Sequence, residues 1–358
     1  MRVLSIIAKE QLRLTEAPVP EPGPGQVRIR VAYVGICGSD LHYYFDGGIE
    51  GAPVREPLTP GHELSATVDL DPSGTWTAGT PVTVHPATLG TPIPALADKP
   101  HLWPNGAYLG SARTMPHTQG AAADYMLVRE SMLRRVPEGL SLQAAALAEP
   151  LSVGLHALVV SGGVAGARVL VVGAGPIGLL TAVAAKAAGA ATVAVSDRLN
   201  GPLERARTLG VDAVYGSDDE LPEEGFDVAV ECAGVAAATN AAIIAVRRGG
   251  IVTQVGISSG LNAVDLGRIV SKELQLRGSF RFNDEIGDAL ALLRARPEIA
   301  GVVTHVVSLE DAESAFAVAR SAQESGKVLL DLAATRVVTL AEQTGDLTRD
   351  TAVDKHLG

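Results

Sequence analysis

The sequence contains little cysteine and has no excess of positive charge. Only two of its 358 residues are cysteines, Cys37 and Cys232, too few for a disulfide framework and typical of a reducing cytoplasm. Acidic residues outnumber basic ones, 40 to 29, and the net charge of −11 would repel a phosphate backbone. We therefore expect a cytoplasmic protein with no nucleic-acid partner, and we assign Cys232 to core packing.

Uninterrupted apolar runs are also scarce. The N-terminal residues lack the apolar stretch of a signal peptide. The longest apolar run, 169–185, approaches the length of a membrane span, but it contains Gly173, Gly175, Pro176 and Gly178, which favour a strand, a turn and a helix. We interpret this run as part of a soluble core and expect no membrane association.

The two halves of the chain differ in their pattern of apolar residues and turn residues. A sequence of 358 residues is long enough for two cores, because single cores stop growing near about 250 residues. The first 148 residues contain short strand-like runs, such as 27–34 and 64–68, between turns rich in proline and glycine. From residue 168, apolar strands alternate with alanine-rich helices, which predicts an α/β protein with a doubly wound parallel sheet.

Apolar periodicity also places the individual elements of the second half. Strands are predicted at 169–172, 192–196, 228–231, 251–255, 305–308 and 328–332, and helices at 179–188, 284–294 and 311–320. The tail after residue 332 has scattered charge and little periodicity, so we expect it to be poorly ordered or to act as an arm between subunits.

A glycine motif, GAGPIG at 173–178, joins the first of these strands to the helix after it. Gly173 allows a tight turn, Gly175 lets the backbone approach a pyrophosphate, and Gly178 lets helix and strand pack closely. The helix N-terminus then offers free N–H groups to phosphates. A glycine-rich turn in an apolar core is the plainer alternative, but it would not need the flanking strand and helix. The expected cofactor-binding residues are Gly173, Gly175, Pro176, Ile177 and Gly178.

Asp197 and Arg198 bear on the choice of dinucleotide. Asp197 ends the second strand 19 residues after Gly178, where a carboxylate accepts hydrogen bonds from the adenosine ribose. The same carboxylate would repel a 2'-phosphate, so NAD is favoured over NADP. Arg198 could reach such a phosphate, which leaves NADP open.

Four residues in or directly after the first half of the chain have side chains that can bind a metal ion. Zinc binds cysteine sulfur, histidine nitrogen and carboxylate oxygen, and a catalytic site keeps one position open. Cys37 and His62 supply two such atoms, and Glu63 or Glu149 can supply the third. A lone cysteine is usually a small core residue, and a His-Glu pair is usually solvated, so the prediction depends on their combination.

Two further residues follow Cys37 at short spacing. Ser39 lies two positions and His42 five positions beyond it. Because bound zinc lowers the pKa of a water or alcohol, a proton must leave the site, and this spacing could pass it outward. The alkoxide that remains could then transfer a hydride to a nicotinamide.

Several segments resemble the medium-chain zinc-dependent dehydrogenases, and within them the polyol branch of sorbitol dehydrogenase and L-idonate 5-dehydrogenase. The similarity extends to about residue 332. The matching stretches are GICGSDLHYY (35–44), REPLTPGHE (55–63), EPLSVGLH (149–156), GAGPIG (173–178) and KELQLRGSFRF (272–282).

This resemblance implies a fold built from both ends of the chain. A GroES-like, mostly-β catalytic domain would comprise residues 1–148 and return at 282–334, and a Rossmann domain would occupy 149–281. The tail at 335–358 would lie outside both, and the active site would lie in the cleft between them.

The resemblance also implies roles for single residues. Cys37, His62 and Glu63 would be zinc ligands, with Glu149 bound directly or through the zinc water. Ser39 and His42 would relay the proton. On the substrate side it points to Arg281, Tyr43 and His117, with a guanidinium at 281 suited to a carboxylate.

One departure from the family concerns a second zinc. Many relatives hold a structural zinc with four cysteines in the lobe that corresponds to 86–108, and this segment contains none. We therefore expect one catalytic zinc and no structural zinc.

The expected activity is oxidation of a secondary alcohol of a sugar acid, L-idonate to 5-keto-D-gluconate, by a homodimer or homotetramer. A close alternative is a sorbitol or xylitol dehydrogenase acting on a neutral polyol. A metal-free, NADPH-binding protein of the quinone-reductase type, or a binding protein without catalysis, is the alternative from a different class.

Overall fold

The computed structural model describes residues 1–49, 51–258 and 260–333. The prediction for the tail at 335–358 lies outside the described residues. No helix within the described residues has both the length and the apolar character that crossing a membrane requires.

Nineteen strands are present in the described residues. They are β1 (Arg2–Ala8), β2 (Gln11–Glu16), β3 (Gln26–Gly35), β4 (Gly48–Ile49), β5 (Ala52–Pro53), β6 (Glu63–Leu70), β7 (Pro81–Val84), β8 (Ala87–Thr88), β9 (Ala107–Tyr108), β10 (Tyr125–Arg129), β11 (Leu133–Arg135), β12 (Arg168–Val172), β13 (Thr192–Ser196), β14 (Ala213–Tyr215), β15 (Phe226–Glu231), β16 (Val246–Gln254), β17 (Gln275–Gly278), β18 (Val303–Ser308) and β19 (Lys327–Asp331).

Nine α-helices lie between and after these strands in the same residues. They are α1 (Gly38–Leu41), α2 (Leu142–Ala145), α3 (Ala148–Val160), α4 (Pro176–Ala187), α5 (Asn200–Thr208), α6 (Ala236–Ala245), α7 (Leu266–Ser271), α8 (Ile286–Ala295) and α9 (Ala312–Arg320). A π-helical turn, His42–Asp46, follows α1 directly.

The first large sheet has the strand order β11-β7-β6-β3-β19-β18, with β10 also paired to β3. In β3, Val27, Ile29 and Val31 are buried while Arg28 and Arg30 are not, because successive side chains of a strand point to opposite faces. Strands from the two ends of the chain meet here, since β19 pairs antiparallel with β3. The C-terminal segment thus completes the sheet that the N-terminal segment begins.

The second large sheet is parallel throughout, in the order β14-β13-β12-β15-β16-β17. Its central strand β12 is almost entirely buried, as expected for a parallel strand covered by helices on both faces. The order reverses at β12, between β13 and β15, and ligands bind beyond the carboxyl ends of strands at such a point. This arrangement confirms the predicted α/β class with its doubly wound sheet, while the domain limits at 148 and 281 stay predictions.

Candidate metal and dinucleotide site

Three side chains with metal-binding atoms converge at one end of the first sheet. Cys37 follows β3 after one residue, Glu63 is the first residue of β6, and His62 directly precedes it. Because β3 and β6 are antiparallel neighbours with Gly35 opposite Glu63, the two segments are brought side by side. One ligand atom from each of Cys37, His62 and Glu63 lies within 4.8 Å of the others, and we call these three residues the ligand group.

Asp40 holds both segments of the ligand group in place, and sequence reasoning missed it. Its carboxylate accepts a hydrogen bond from the backbone N–H of Cys37 at 3.0 Å and another from that of Gly61 at 3.2 Å. The side chain is buried, and burial raises the pKa of its carboxyl group. The available signal was its position three residues after Cys37, where a carboxylate caps the first turn of α1.

Glu149 faces the ligand group but is not a member of it. It lies in the first turn of α3, is buried, and accepts a hydrogen bond of 2.5 Å from the hydroxyl of Tyr108. Burial, together with the like charge of Glu63, raises its pKa, although His62 and Tyr108 act in the opposite direction. Of the two carboxylates that the sequence left open, this placement favours Glu63 as the direct ligand, and both assignments stay predictions.

Lys327 neutralises Glu63 from the far end of the chain. Its Nζ lies 2.7 Å from Oε1 and 2.6 Å from Oε2 of Glu63, and it donates to the carbonyl of Ile36 at 3.1 Å. Burial by itself lowers the pKa of Lys327, but the charges of Glu63 and Cys37 outweigh it, so the pKa is raised. Nothing in the local sequence indicated this residue.

The charges around the ligand group favour a cation. Asp40, Glu63 and Glu149 are buried together beside Cys37. Burial opposes the charged form of His62, yet Cys37, Glu149 and Asp40 raise its pKa well above the usual range. Nδ1 of His62 is buried without a hydrogen-bond partner among the described residues. Because zinc binds sulfur, nitrogen and oxygen donors of this kind, the residues present fit the metal.

The two residues expected to relay a proton differ in their exposure to solvent. Ser39 is half-buried in α1, and His42 is exposed at the start of the π-helical turn. Nδ1 of His42 is hydrogen-bonded to Asp46 at 2.7 Å. The gradient of exposure suits a proton path, and the roles of both residues stay predictions.

Arg281 lies on the other side of Tyr108, in a cavity of about 370 Å³. Its guanidinium carbon is 3.9 Å from the centre of the Tyr108 ring and 4.8 Å from that of Phe280. The Tyr108 ring is also 5.4 Å from the His62 ring, so this cavity adjoins the ligand group. Tyr43 is buried nearby, and its hydroxyl lies 3.3 Å from that of Ser111.

The structure gives His117 a bracing position. It is buried, its Nδ1 is 2.9 Å from the carbonyl of Thr114, and its Nε2 accepts the backbone N–H of Arg55 at 3.0 Å. Both ring nitrogens are therefore engaged by the backbone. Contact of His117 with a substrate stays a prediction, and this geometry does not favour it.

The glycine loop has the geometry that a dinucleotide needs. Gly173 has φ +96°, and a Cβ there would lie 2.9 Å from Ala233. A Cβ at Gly178 would collide with the carbonyl oxygen of Gly173, so only glycine permits this approach of helix to strand. A Cβ at Gly175 would meet open space, which is the cradle that a pyrophosphate would fill. Helix α4 begins at Pro176 and directs its free N–H groups into the loop.

Asp197 connects this loop to the end of β13. Its carboxylate accepts the backbone N–H groups of Ala174 at 2.8 Å and Leu199 at 2.9 Å. It therefore lies beside the glycine loop, as its spacing predicted, while Arg198 is exposed. The contact of Asp197 with a ribose stays a prediction.

Comparison with known proteins identifies the family of this chain. Residues 23–138 match the family model of the alcohol dehydrogenase GroES-like domain, and residues 176–295 match that of the zinc-binding dehydrogenases. Sorbitol dehydrogenase of Gallus gallus is 35% identical over 85% of this chain and 89% of its own. D-xylulose reductase of Saccharomyces cerevisiae is 33% identical over 86% of this chain and 90% of its own.

A solved dehydrogenase structure has a fold similar to that of this chain. The crystal structure of L-idonate 5-dehydrogenase from Escherichia coli superposes with a TM-score of 0.87 at 27% identity, covering 92% of this chain and 97% of that one. The chain therefore belongs to the zinc-dependent medium-chain polyol dehydrogenases, a family of NAD(P)-binding oxidoreductases that act on alcohols.

Proposed function

We propose that this enzyme oxidises a secondary alcohol of a sugar acid, converting L-idonate to 5-keto-D-gluconate with NAD. The observation that carries the proposal is the guanidinium of Arg281. It is half-buried against the rings of Tyr108 and Phe280 and makes no ion pair with a carboxylate of the described residues. A desolvated arginine of this kind is suited to bidentate binding of a substrate carboxylate. The structural likeness to an L-idonate dehydrogenase supports the same substrate.

Each site residue has a part in this reaction. Zinc held by the ligand group would supply Lewis acidity, which lowers the pKa of a bound hydroxyl. Ser39 would accept the hydroxyl proton and pass it towards His42 at the surface. The glycine loop would hold the dinucleotide, which supplies the hydride acceptor. Arg281 would orient the substrate through its carboxylate, so that the substrate loses one proton and one hydride and becomes a ketone.

The preference for NAD is based on Asp197. A carboxylate at the end of β13 accepts hydrogen bonds from ribose hydroxyls and repels a 2'-phosphate. Arg198 is exposed next to it and would favour NADP, so the comparison of the two cofactors is part of the test.

Two measurements test the proposal. Metal analysis of the purified enzyme should find about one zinc per chain, and the Cys37→Ser variant should lose it. Turnover of sugar acids and neutral polyols with NAD and with NADP should favour L-idonate with NAD. Arg281→Gln should reduce kcat/KM for L-idonate more than for D-sorbitol, and equal reductions would remove the carboxylate from the proposal.

A neutral polyol such as sorbitol or xylitol is the second candidate substrate. Several relatives whose sequences are about one third identical to this chain are sorbitol dehydrogenases. The hydroxyls of Tyr43 and Ser111 could form hydrogen bonds with the hydroxyls of a polyol. A metal-free quinone reductase of the NADPH type would need none of the ligand group, which argues against that class.

Oligomer formation and location complete the proposal. Strand β17 is an edge strand of the parallel sheet, and Leu276 on it is exposed, as are Leu266 and Val270 on α7, the helix that precedes it in the chain. A homodimer or homotetramer that pairs this edge would cover them. The proposed cytoplasmic location rests on the low cysteine content alone.

A further inference from the structure

We propose that Arg113 and Arg281 together form a two-guanidinium site for an anionic end group of the substrate, with Arg113 as a specificity-determining residue. The inference rests on the proposed function and deepens it. The anionic group would be a carboxylate or a phosphate monoester, because both accept paired N–H donors from arginine.

The cavity that contains both arginines has no acidic lining residue. Its wall includes Arg113, Arg281, His101, Tyr108 and Ser111, together with apolar and other neutral residues. This is unusual in a chain whose net charge is −11. A volume of about 370 Å³ falls within the range of small-molecule sites. Two arginines facing one cavity without a carboxylate favour an anionic ligand.

The cavity lies on the far side of Tyr108 from the ligand group, and no member of that group lines it. Tyr108 forms part of its wall and donates its hydroxyl to Glu149 at 2.5 Å. The Tyr108 ring lies 5.4 Å from that of His62. A substrate whose hydroxyl is at the ligand group would therefore extend past Tyr108 towards the arginines.

Arg281 is held in a strained and desolvated position. Its φ of +53° is in the left-handed region, which is unfavourable for a residue with a Cβ. Strain of this kind is found where surrounding structure over-determines a functional residue. Burial lowers the pKa of Arg281, and the nearby positive charge of Arg113 acts in the same direction. An anion between the two guanidinium groups would relieve this repulsion.

Arg113 lies on a well-braced loop. Ser111 and Thr118 form a bridge with backbone hydrogen bonds of 3.0 and 3.1 Å, and the hydroxyl of Thr114 lies 2.9 Å from that of Thr118. The buried His117 ties the same loop to the backbone of Arg55. The side chain of Arg113 is exposed and makes no ion pair with the described residues. The fold thus presents a second guanidinium at the cavity from a fixed backbone.

The test compares charged with neutral substrates. For wild type, Arg113→Gln and Arg113→Lys, kcat/KM would be measured with L-idonate, D-sorbitol 6-phosphate and D-sorbitol. Arg113→Gln should lower the ratio of anionic to neutral kcat/KM about tenfold, the effect of losing one charge-assisted hydrogen bond. Arg113→Lys should retain part of the ratio. Arg13→Gln, an exposed arginine on β2 outside the cavity, is the matched control and should leave the ratio unchanged.

A binding measurement makes the result independent of turnover. Calorimetric titration of the zinc-loaded enzyme with inorganic phosphate, at saturating NAD so that the glycine loop is filled, should show binding that Arg113→Gln weakens about tenfold. An unchanged ratio and unchanged phosphate binding in Arg113→Gln would overturn the two-guanidinium site, even if L-idonate is a good substrate. Oxidation of the phosphate ester but not of L-idonate, with the Arg113 effect intact, would instead refute the sugar-acid proposal and leave this site standing.

Discussion

Replacing Lys327 by methionine should destabilise the protein strongly, and more so without zinc. The ammonium group of Lys327 lies 2.6 and 2.7 Å from the two carboxylate oxygens of Glu63, and both residues are almost completely buried. Methionine keeps most of the length and the apolar stem of lysine, so the packing of β19 changes little. What is lost is the cation that compensates a carboxylate which water cannot reach.

The expected size follows from that burial. Removing one partner of a buried ion pair costs about 3–5 kcal/mol, because the other charge is left uncompensated. Glu63 belongs to the ligand group, so a zinc ion bound there would provide a second positive charge beside it. When zinc is removed with a chelator, we therefore expect Lys327→Met to lower the free energy of unfolding by the whole of this amount, about 3–5 kcal/mol. When zinc is saturating, the decrease should be smaller.

Urea unfolding followed by circular dichroism, with and without a chelator, measures both losses. Lys186→Met is the matched control, because Lys186 forms a partly exposed pair with Asp212 at 3.0 Å, and such pairs contribute at most about 1 kcal/mol. The double variant Glu63→Gln with Lys327→Met should recover stability in the chelated protein, since the uncompensated carboxylate of Glu63 is removed as well. A loss below about 1 kcal/mol for Lys327→Met without zinc would refute this reasoning.

Three further predictions concern other parts of the molecule. Gly178→Ala should lower both thermal stability and NAD affinity, because its Cβ meets a backbone carbonyl, whereas Gly175→Ala should lower NAD affinity alone. Calorimetry of unfolding and of NAD binding measures the two effects separately, and equal losses of stability in both variants would contradict this prediction. Tyr108→Phe should cost about 1–3 kcal/mol in urea unfolding by removing the donor to a buried carboxylate, and an unchanged midpoint would speak against that bond. Hydrogen bonds and charge from Arg168, with Arg247, hold the pKa of Asp227 well below its usual range. These interactions therefore stabilise the folded protein above about pH 4, and this contribution is lost as the pH falls through the lowered pKa. Asp227→Asn should therefore be less stable by about 1 kcal/mol at pH 7, with a difference that narrows under acid, and a constant difference down to pH 2 would exclude this cause.

The local features of the fold could be read from the sequence. The glycine loop is specified by its short spacing and by Gly173 and Gly178, where the structure has no room for a side chain, and it was predicted together with its strand and helix. Strand β13 was predicted with its observed limits, because its apolar run is bounded by turn residues on both sides. The short edge strand β17 was missed, since three of its four residues are exposed and show no buried run.

The sequence by itself determined the chemistry of the ligand group, because cysteine, histidine and glutamate side chains carry their donor atoms wherever they lie. Only the tertiary structure decided how that group is completed. The pairing of Gly35 with Glu63 in one direction and with Leu329 in the other brings Lys327 to Glu63 across most of the chain. The same packing places the hydroxyl of Tyr108 in a hydrogen bond with Glu149 and places Glu63 beside Cys37 and His62. Strand register and burial between distant segments are collective properties of the fold, so no local pattern encodes them.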